Sequence, residues 1–329
     1  MADNQLLLEE DNSVGAGDDV FVYTGGEQRV PRDVKRVRIA ENVDTIPAWT
    51  FEHCEELIEV KAHDKLRKVE QFAFHGCTSL KKVKNMQGLI EIEVHAFLGC
   101  HTLEELEFGK LEFIGLSAFQ NCRSLRSFNM PSVKRVEAGA FMQCVALTDV
   151  VFGQDLERIE AFAFNYCTAL RRIVIPLKYG LIVEDEAFNK CVNLSRVDAL
   201  AGGIHTTISS LHLESWRDEM QDEIDVINQA LPNIQANEKA EAIQQWTTRI
   251  LRRMEQYKGE HKVLVKEAMT LLELALWKAN LHDDMGNDAA DQAGVTVTRG
   301  QRKRKRKDRC ITSGASIVIK NVLPFLELK

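Results

Sequence analysis

The sequence has few prolines, no long apolar run and no strong excess of charge of one sign. Only 6 of its 329 residues are proline and 19 are glycine, which excludes collagen-like and low-complexity chains. No window of 18 apolar residues occurs, so we expect no membrane-spanning helix. The 42 basic and 49 acidic residues leave a net charge of -7, which argues against a uniformly basic nucleic-acid-binding protein. A hydrophobic content of 45% is typical of a chain that folds around a core.

The N-terminus lacks the features of an export signal. Residues 1–19 carry six acidic side chains, no lysine or arginine, and a single run of three leucines. A secretory signal needs a basic start and a longer apolar stretch, so the sequence predicts an intracellular protein, cytoplasmic or nuclear. We expect residues 1–20 to be disordered and acidic.

The short motifs of common catalytic and cofactor sites are also missing. The patterns GxxxxGK[ST], GxGxxG, HExxH and GxSxG do not occur. There is no CxxC pair, and the nine histidines are scattered, with no HxxxH pair beside a thiol. Glu70 and Glu93 recur one repeat apart at solvent-facing positions, which indicates a surface ladder rather than a sheltered catalytic pair. We therefore predict no enzyme, no cofactor and no metal site.

What the sequence does contain is a repeat. Seven of its eight cysteines fall 22 to 24 residues apart, each three residues after a phenylalanine and three before a leucine. Alanine precedes six of the seven phenylalanines. A fixed period in this range predicts a solenoid. The phenylalanines are Phe51, Phe74, Phe97, Phe119, Phe141, Phe164 and Phe188, and the cysteines are Cys54, Cys77, Cys100, Cys122, Cys144, Cys167 and Cys191.

Each repeat divides into a helical turn and two short apolar segments. The spacing of the (A)FxxCxxL motif places Phe, Cys and Leu on one side of a tight turn. Alternating residues after the leucine predict a short strand, and a second brief apolar segment follows. Because no coil buries its face alone, seven stacked coils predict one continuous core. We interpret the cysteines as small buried apolar residues, not as disulfides or metal ligands.

The repeats resemble the BspA-like class of leucine-rich repeats, whose signature is an AFxxCxxL helical turn. The resemblance covers about residues 34–200, recurs seven times, and implies an α/β repeat solenoid of short strands and helical turns. It does not imply any particular chemistry, because repeat scaffolds host many binding functions.

In leucine-rich repeats the strand face usually carries binding, so the outward strand residues are the candidate protein-binding face. Residues flanking each inward strand residue point outward. Two interpretations stay open: a solvated face balanced for solubility, or a charge-patterned surface that binds a protein. The candidates are Arg36, Arg38, Glu59, Lys61, Lys82, Lys84, Glu105, Glu107, Ser127, Asn129, Asp149, Arg172, Arg196 and Asp198.

After the solenoid the pattern becomes helical. Residues 21–204 are predicted to form the solenoid with an N-terminal cap, and residues 205–281 an all-α segment of about three helices. Pro232 should end the first helix and Gly259 the second, and the third, apolar on more than half its circumference, should be buried against the others. Trp216, Trp246 and Trp277 fall one per helix and indicate either a shared core or an exposed face for a partner. In a variant of this arrangement the first helix caps the last coil and the other two form a hairpin.

Residues 282–309 are predicted to be an acidic linker and a basic run, and residues 310–329 an apolar C-terminal tail. Three interpretations of the run stay open: a nuclear-import signal, a phosphate-binding arm for nucleic acid, or a solvated tail without function. The tail is expected to dock on this protein or on a partner. The import candidates are Arg302, Lys303, Arg304, Lys305, Arg306 and Lys307.

These features together predict a non-catalytic protein–protein interaction scaffold. Its partner is an unidentified protein, and self-association through the helices is an alternative. A nuclear nucleic-acid-associated protein that uses the basic run is the second hypothesis. A surface adhesin is the third, and the lack of export features weighs against it.

Overall fold

The computed structural model describes residues 20–200 and 214–291. The first eight strands are β1 (Val20–Tyr23), β2 (Arg36–Ile39), β3 (Thr45–Ile46), β4 (Glu59–Lys61), β5 (Lys68–Val69), β6 (Lys82–Lys84), β7 (Glu91–Ile92) and β8 (Glu105–Leu106). The next eight are β9 (Phe113–Ile114), β10 (Ser127–Met130), β11 (Arg135–Val136), β12 (Asp149–Phe152), β13 (Arg158–Ile159), β14 (Arg172–Ile175), β15 (Ile182–Val183) and β16 (Arg196–Ala199). Helix α1 (Glu214–Ala230), a 3-10 helix (Leu231–Asn233) and helix α2 (Lys239–Asp291) follow.

The strands stack in parallel, one coil on the next, as the repeat predicts. Strands β1, β2, β4, β6 and β8 form a five-stranded sheet, and β10, β12, β14 and β16 continue the same face as a four-stranded sheet. The two-residue strands β3, β5, β7, β9, β11, β13 and β15 form a seven-stranded sheet. The chain is therefore a leucine-rich repeat solenoid of about seven coils followed by helices.

The phenylalanines of the repeat form a continuous stack through the core. Neighbouring ring centroids are 4.9 to 5.5 Å apart, and the ring planes lie within 18° of each other. Within each turn the cysteine N–H donates to the phenylalanine carbonyl, as Cys122 does to Phe119 at 3.1 Å. All of the motif phenylalanines and cysteines are fully buried. Burial of this apolar column is what holds successive coils together.

Strand β1 covers the first coil. It pairs in parallel with β2, and Tyr23 is buried with its ring edge against Phe51 at 5.5 Å. A solenoid without such a cover would leave its first apolar layer in water. Strand β1 therefore covers the first apolar layer of the stack.

The helices cover the last coil and supply hydrogen bonds that a further coil would have made. The Asn228 side-chain carbonyl of α1 accepts the Val197 N–H at 2.8 Å. The Gln244 side chain of α2 accepts the Val183 N–H at 2.8 Å and donates to the Leu181 carbonyl at 3.2 Å. Residues of α1 and α2 belong to the same apolar cluster as the solenoid core. The two ends of the solenoid are therefore both closed.

Lys239, at the start of α2, is buried at 1% exposure against the same coil. Its ammonium donates to the carbonyls of Leu194 at 2.5 Å and of Cys191 and Val192 at 3.3 Å. Three carbonyl acceptors compensate part of the cost of removing this charge from water. Burial lowers the pKa of Lys239.

The helical segment differs from the three-helix prediction. The first helix ends at Ala230, and Pro232 lies in the 3-10 helix, as expected for a helix-ending proline. Gly259 does not end a helix: the second and third predicted helices are one continuous helix, α2. This helix also extends through residues 282–291 of the predicted linker. One interior glycine costs only about 1 kcal/mol relative to alanine, which the strong helix formers around it outweigh.

The prediction that the third helical stretch is buried is also wrong. Trp246 is buried and donates its indole N–H to the Glu223 carbonyl at 2.9 Å, but Trp277 is 64% exposed. The structure does not describe residues 1–19, the Trp216 side chain, the basic run or the apolar tail. None of the described helices combines the length and the apolarity needed to cross a membrane.

Candidate functional site

The strand register aligns the predicted binding residues in columns on the outer face of the longer strands. On the five-stranded sheet the first column consists of Arg36, Glu59, Lys82 and Glu105, and the second consists of Arg38, Lys61 and Lys84. Glu107 lies just after β8 and is exposed. On the four-stranded sheet one column holds Ser127, Asp149, Arg172 and Arg196, and the next Asn129, Val151, Val174 and Asp198. We call these residues the sheet face.

Several charges of the sheet face neutralise one another. The Lys84 ammonium lies 2.5 Å from the Glu59 carboxylate, and Asp198 accepts hydrogen bonds from Arg172 at 2.6 Å and Arg196 at 2.8 Å. Burial acts to raise the pKa of Asp198, but the two guanidinium groups outweigh it, so that the pKa is lowered. Exposed pairs of this kind contribute at most about 1 kcal/mol each. The sheet face therefore has seven basic and five acidic residues, some of which pair with one another.

A groove crosses the sheet face where the two sheets part. Strand β8 does not pair with β10, and the gap between them opens a cavity of about 500 Å³. Leu106 and Phe108 form its apolar floor, and Glu107, Ser127 and Asn129 lie at its walls. This groove brings together three candidate residues from two neighbouring coils: Glu107 after β8, and Ser127 and Asn129 on β10.

The cysteines of the repeat have a structural role. The thiol of Cys122 lies 3.3 Å from the Phe97 carbonyl of the preceding coil, and five other cysteines repeat this contact at 3.0 to 3.2 Å. Burial raises the pKa of Cys100 and of Cys122, so these thiols stay protonated. Among the described residues all seven cysteines are free. The interpretation of the cysteines as buried structural residues is confirmed.

A column of glutamates beside the seven-stranded sheet, interrupted at Gly115, connects most turns to their neighbours. Their carboxylates accept a backbone N–H from an adjacent coil at 2.9 to 3.2 Å. The glutamates are Glu70, Glu93, Glu137, Glu160 and Glu184. Such side chains act as caps for the turns. They are structural elements, consistent with the predicted surface ladder.

The far half of α2 exposes large apolar side chains, which the sequence led us to expect inside the protein. We call residues 263–278 of α2 the helical arm. Leu271 is 67% and Trp277 64% exposed. The others are exposed by 38% to 56%: Val263, Leu264, Met269, Leu274 and Leu276. Among the side chains that the structure describes, no other stretch exposes so many large apolar residues in succession.

The turn surface of the first coils holds an aromatic pair that sequence reasoning missed. The rings of Trp49 and Phe72 stack at a centroid distance of 4.0 Å with planes 7° apart. Both residues have positive φ, 65° for Trp49 and 58° for Phe72, a conformation that costs L-residues about 1–2 kcal/mol. The signal in the sequence was an aromatic residue two positions before the motif phenylalanine in consecutive repeats.

Beside this pair the structure brings together two histidines that the sequence shows as scattered. Glu52 and His53 lie in one turn, and His75 lies in the same turn of the next coil. The His75 Nδ1 atom is 3.3 Å from the Glu52 carboxylate, and the two imidazole centroids are 4.9 Å apart. One ligand atom from each of the three residues lies within 4.8 Å of the others. These three residues could hold a metal ion, and the prediction of no metal site stays a prediction.

Comparisons with solved structures find leucine-rich repeat proteins. A leucine-rich repeat protein of T. pallidum is 25% identical in sequence, and its TM-score is 0.45. The alignment covers 60% of this chain and 90% of the T. pallidum chain. One from Bacteroides ovatus is 21% identical, with coverage of 51% and 56% and a TM-score of 0.34. The pneumococcal vaccine antigen PcpA is 16% identical, with coverage of 55% and 40% and a TM-score of 0.36. A comparison with curated proteins gives no match.

The family comparison agrees with the repeat architecture described above. The BspA type leucine-rich repeat region matches six copies across residues 32–147 and 134–214. These matches span more than half of the chain, and they coincide with the stacked coils and the buried Phe–Cys–Leu turns. The chain belongs to the BspA-type leucine-rich repeat family.

Proposed function

We propose that the chain is a non-catalytic scaffold that binds a protein partner through the helical arm and the sheet face. The observation that carries this proposal is the apolar arm, which stands exposed on a protein whose solenoid is closed at both ends. The family supports a repeat scaffold, since its fold presents a broad, regular surface. The structural use of the repeated glutamates and the protonated state of the buried cysteines support a non-catalytic role.

The helical arm provides the affinity in this proposal. Burying a leucine or a similar side chain contributes about 1.5–3 kcal/mol, and several such residues follow one another here. Exposed apolar patches of this kind mark interaction sites, and a helix offers its anchors at spacings of three and four residues. We infer that the partner contributes an apolar helix or segment, with Leu271 and Trp277 as the principal anchors.

The sheet face provides orientation rather than most of the affinity. Some of its charges are paired on the surface, and rim charges act mainly on encounter rate and on the choice of partner. The groove lined by Leu106 and Asn129 is the part of the face with an apolar floor and polar walls. A partner side chain seated there would fix the register of the complex.

Affinity capture with the full chain as bait tests the proposal. We expect the proteins retained by the wild-type bait to be lost from the double variant Leu271→Lys, Trp277→Lys. A variant with Asn129→Lys in the groove should weaken capture of the same proteins. Arg123→Glu, at an exposed turn residue away from both surfaces, is the matched control and should retain them.

Identical captured proteins from all four baits would overturn the proposal. Light scattering on the purified chains completes the test. If the wild type is a dimer and the arm variant a monomer, the apolar partner segment is the arm of a second copy. Circular dichroism verifies that each variant keeps its fold.

A further inference from the structure

The turns of two consecutive coils bring Glu52, His53 and His75 into one group. These two coils are 23 residues apart, from Phe51 to Phe74, so stacking places His75 in register with Glu52 and one position before the counterpart of His53. The His53 N–H donates to the His75 carbonyl at 2.8 Å, which fixes the two backbones relative to each other. The group is thus built on the rigid, buried stack of phenylalanines beneath it.

The distances in the group are close to those of a coordinated divalent metal. Zinc binds histidine nitrogen and carboxylate oxygen at about 2.0–2.2 Å in tetrahedral geometry, so its ligand atoms lie about 3.3–3.5 Å apart. The Glu52 oxygen and His75 Nδ1 are already 3.3 Å apart, and all three ligand atoms lie within 4.8 Å. Small side-chain rotations would complete the set.

Gly76 provides the space for the His53 ring. A Cβ atom at Gly76 would lie 2.5 Å from the His53 Nδ1 atom and 2.8 Å from its Cε1, so any larger residue there would displace the ring. The edge of the His75 ring is held by Phe72 at a centroid distance of 5.7 Å. His53 is exposed while Glu52 and His75 are half-buried, so the group has both a fixed base and an open side.

We propose that Glu52, His53 and His75 form a surface site for Zn²⁺, with water at the fourth coordination position. Two imidazoles and one carboxylate are a ligand set that zinc uses with one position open. Imidazole ligands favour zinc and similar transition metals, whereas Mg²⁺ and Ca²⁺ prefer oxygen ligands alone. The bound ion would join the first two coils of the motif across their turns. This site is separate from the sheet face and the helical arm.

Calorimetric titration of the untagged full chain with ZnCl₂ tests the site. The chain carries Cys310→Ser, because a thiol outside the described residues is itself a zinc ligand. We expect one Zn²⁺ per chain, and no heat of binding with MgCl₂. The variants His53→Gln, His75→Gln and Glu52→Gln should each weaken zinc binding by about 10-fold or more. His101→Gln, an exposed histidine outside the group, should bind zinc like the parent chain.

Thermal unfolding gives a second readout. Because a ligand that binds only the folded chain stabilises it, Zn²⁺ should raise the unfolding midpoint of the parent and of His101→Gln but not of His53→Gln. Because His53 is exposed, we expect His53→Gln to stay folded, so this variant still tests the site if His75→Gln unfolds. Absence of zinc binding by the parent, or equal binding by parent and His53→Gln, would overturn the proposal.

Discussion

Lys239 tests whether the helices and the solenoid form one folding unit. The change Lys239→Met keeps the length of the side chain and removes its three hydrogen bonds to the last coil. The Cys191 carbonyl keeps the Leu194 N–H at 3.1 Å, and the Val192 carbonyl lies on a residue that is 59% exposed, where water can replace the lysine. The buried Leu194 carbonyl loses the ammonium donor that lies 2.5 Å away.

A buried carbonyl left without a donor costs about 1–3 kcal/mol, and relief from burying the charge offsets part of this. We therefore expect the free energy of unfolding to fall by less than this full cost, by roughly 1–2 kcal/mol. In a repeat protein such a loss acts mainly on neighbouring units. Amide exchange should accordingly lose protection in β16 and in the first turns of α2, while β2 and β4 stay protected.

Urea unfolding and native hydrogen exchange measured by mass spectrometry provide the two readings. Lys258→Met, at an exposed position of the same helix, is the control and should change neither. Wild-type stability and protection in Lys239→Met would refute the view that this lysine closes the last coil. Loss of protection over the whole solenoid would instead show that the coils unfold as one unit.

Four further predictions concern the cysteines, the helices that cover the last coil, and the basic run. Cys122→Ser should lower the free energy of unfolding by about 1 kcal/mol, because the Phe97 carbonyl, 3.3 Å from the thiol, can accept the new hydroxyl; a loss in urea unfolding well above about 3 kcal/mol would show that the hydroxyl is unpaired. Native alkylation should leave the seven repeat cysteines reduced and unlabelled, and disulfides in protein from a reducing cytosol would contradict their structural role. A chain that ends at Ala201 should aggregate in gel filtration, because the helices no longer cover Leu194; a soluble monomer with native exchange protection would make the solenoid independent of them. Replacing residues 302–307 by alanine should move a fluorescent fusion from nucleus to cytoplasm with unchanged circular dichroism. A fusion that is cytoplasmic beforehand would contradict an import signal, and salt-sensitive binding of duplex DNA by the basic run would favour the phosphate-binding arm.

The repeat region shows how far periodicity alone can lead. The spacing of phenylalanine, cysteine and leucine predicts the turn, the strand and the inward face of each coil, and Phe119 and Cys122 are buried as expected. Such prediction works because each coil has the same environment as its neighbours, so one local rule applies seven times. The outward direction of Lys61 and Lys84 follows from the same alternation.

The helical region shows where periodicity stops. The apolar content of residues 263–278 is visible in the sequence, but periodicity does not tell whether another element lies opposite. Here nothing among the described residues covers Leu271 or Trp277, so a stretch predicted to be core is surface. Gly259 was misleading for a related reason: a single unfavourable residue is tolerated when the helix on both sides is strong.

The sequence by itself determined the path of each coil, the buried stack and the outward columns, because these depend on interactions within one repeat and with its identical neighbours. Only the tertiary structure decided which side chains meet across coils and at the end of the stack. Lys239 reaches carbonyls that precede it by 45 to 48 residues, and Gln244 pairs with residues 61 and 63 positions earlier. These contacts follow no period, since they depend on how a helix docks as a rigid body on the last coil.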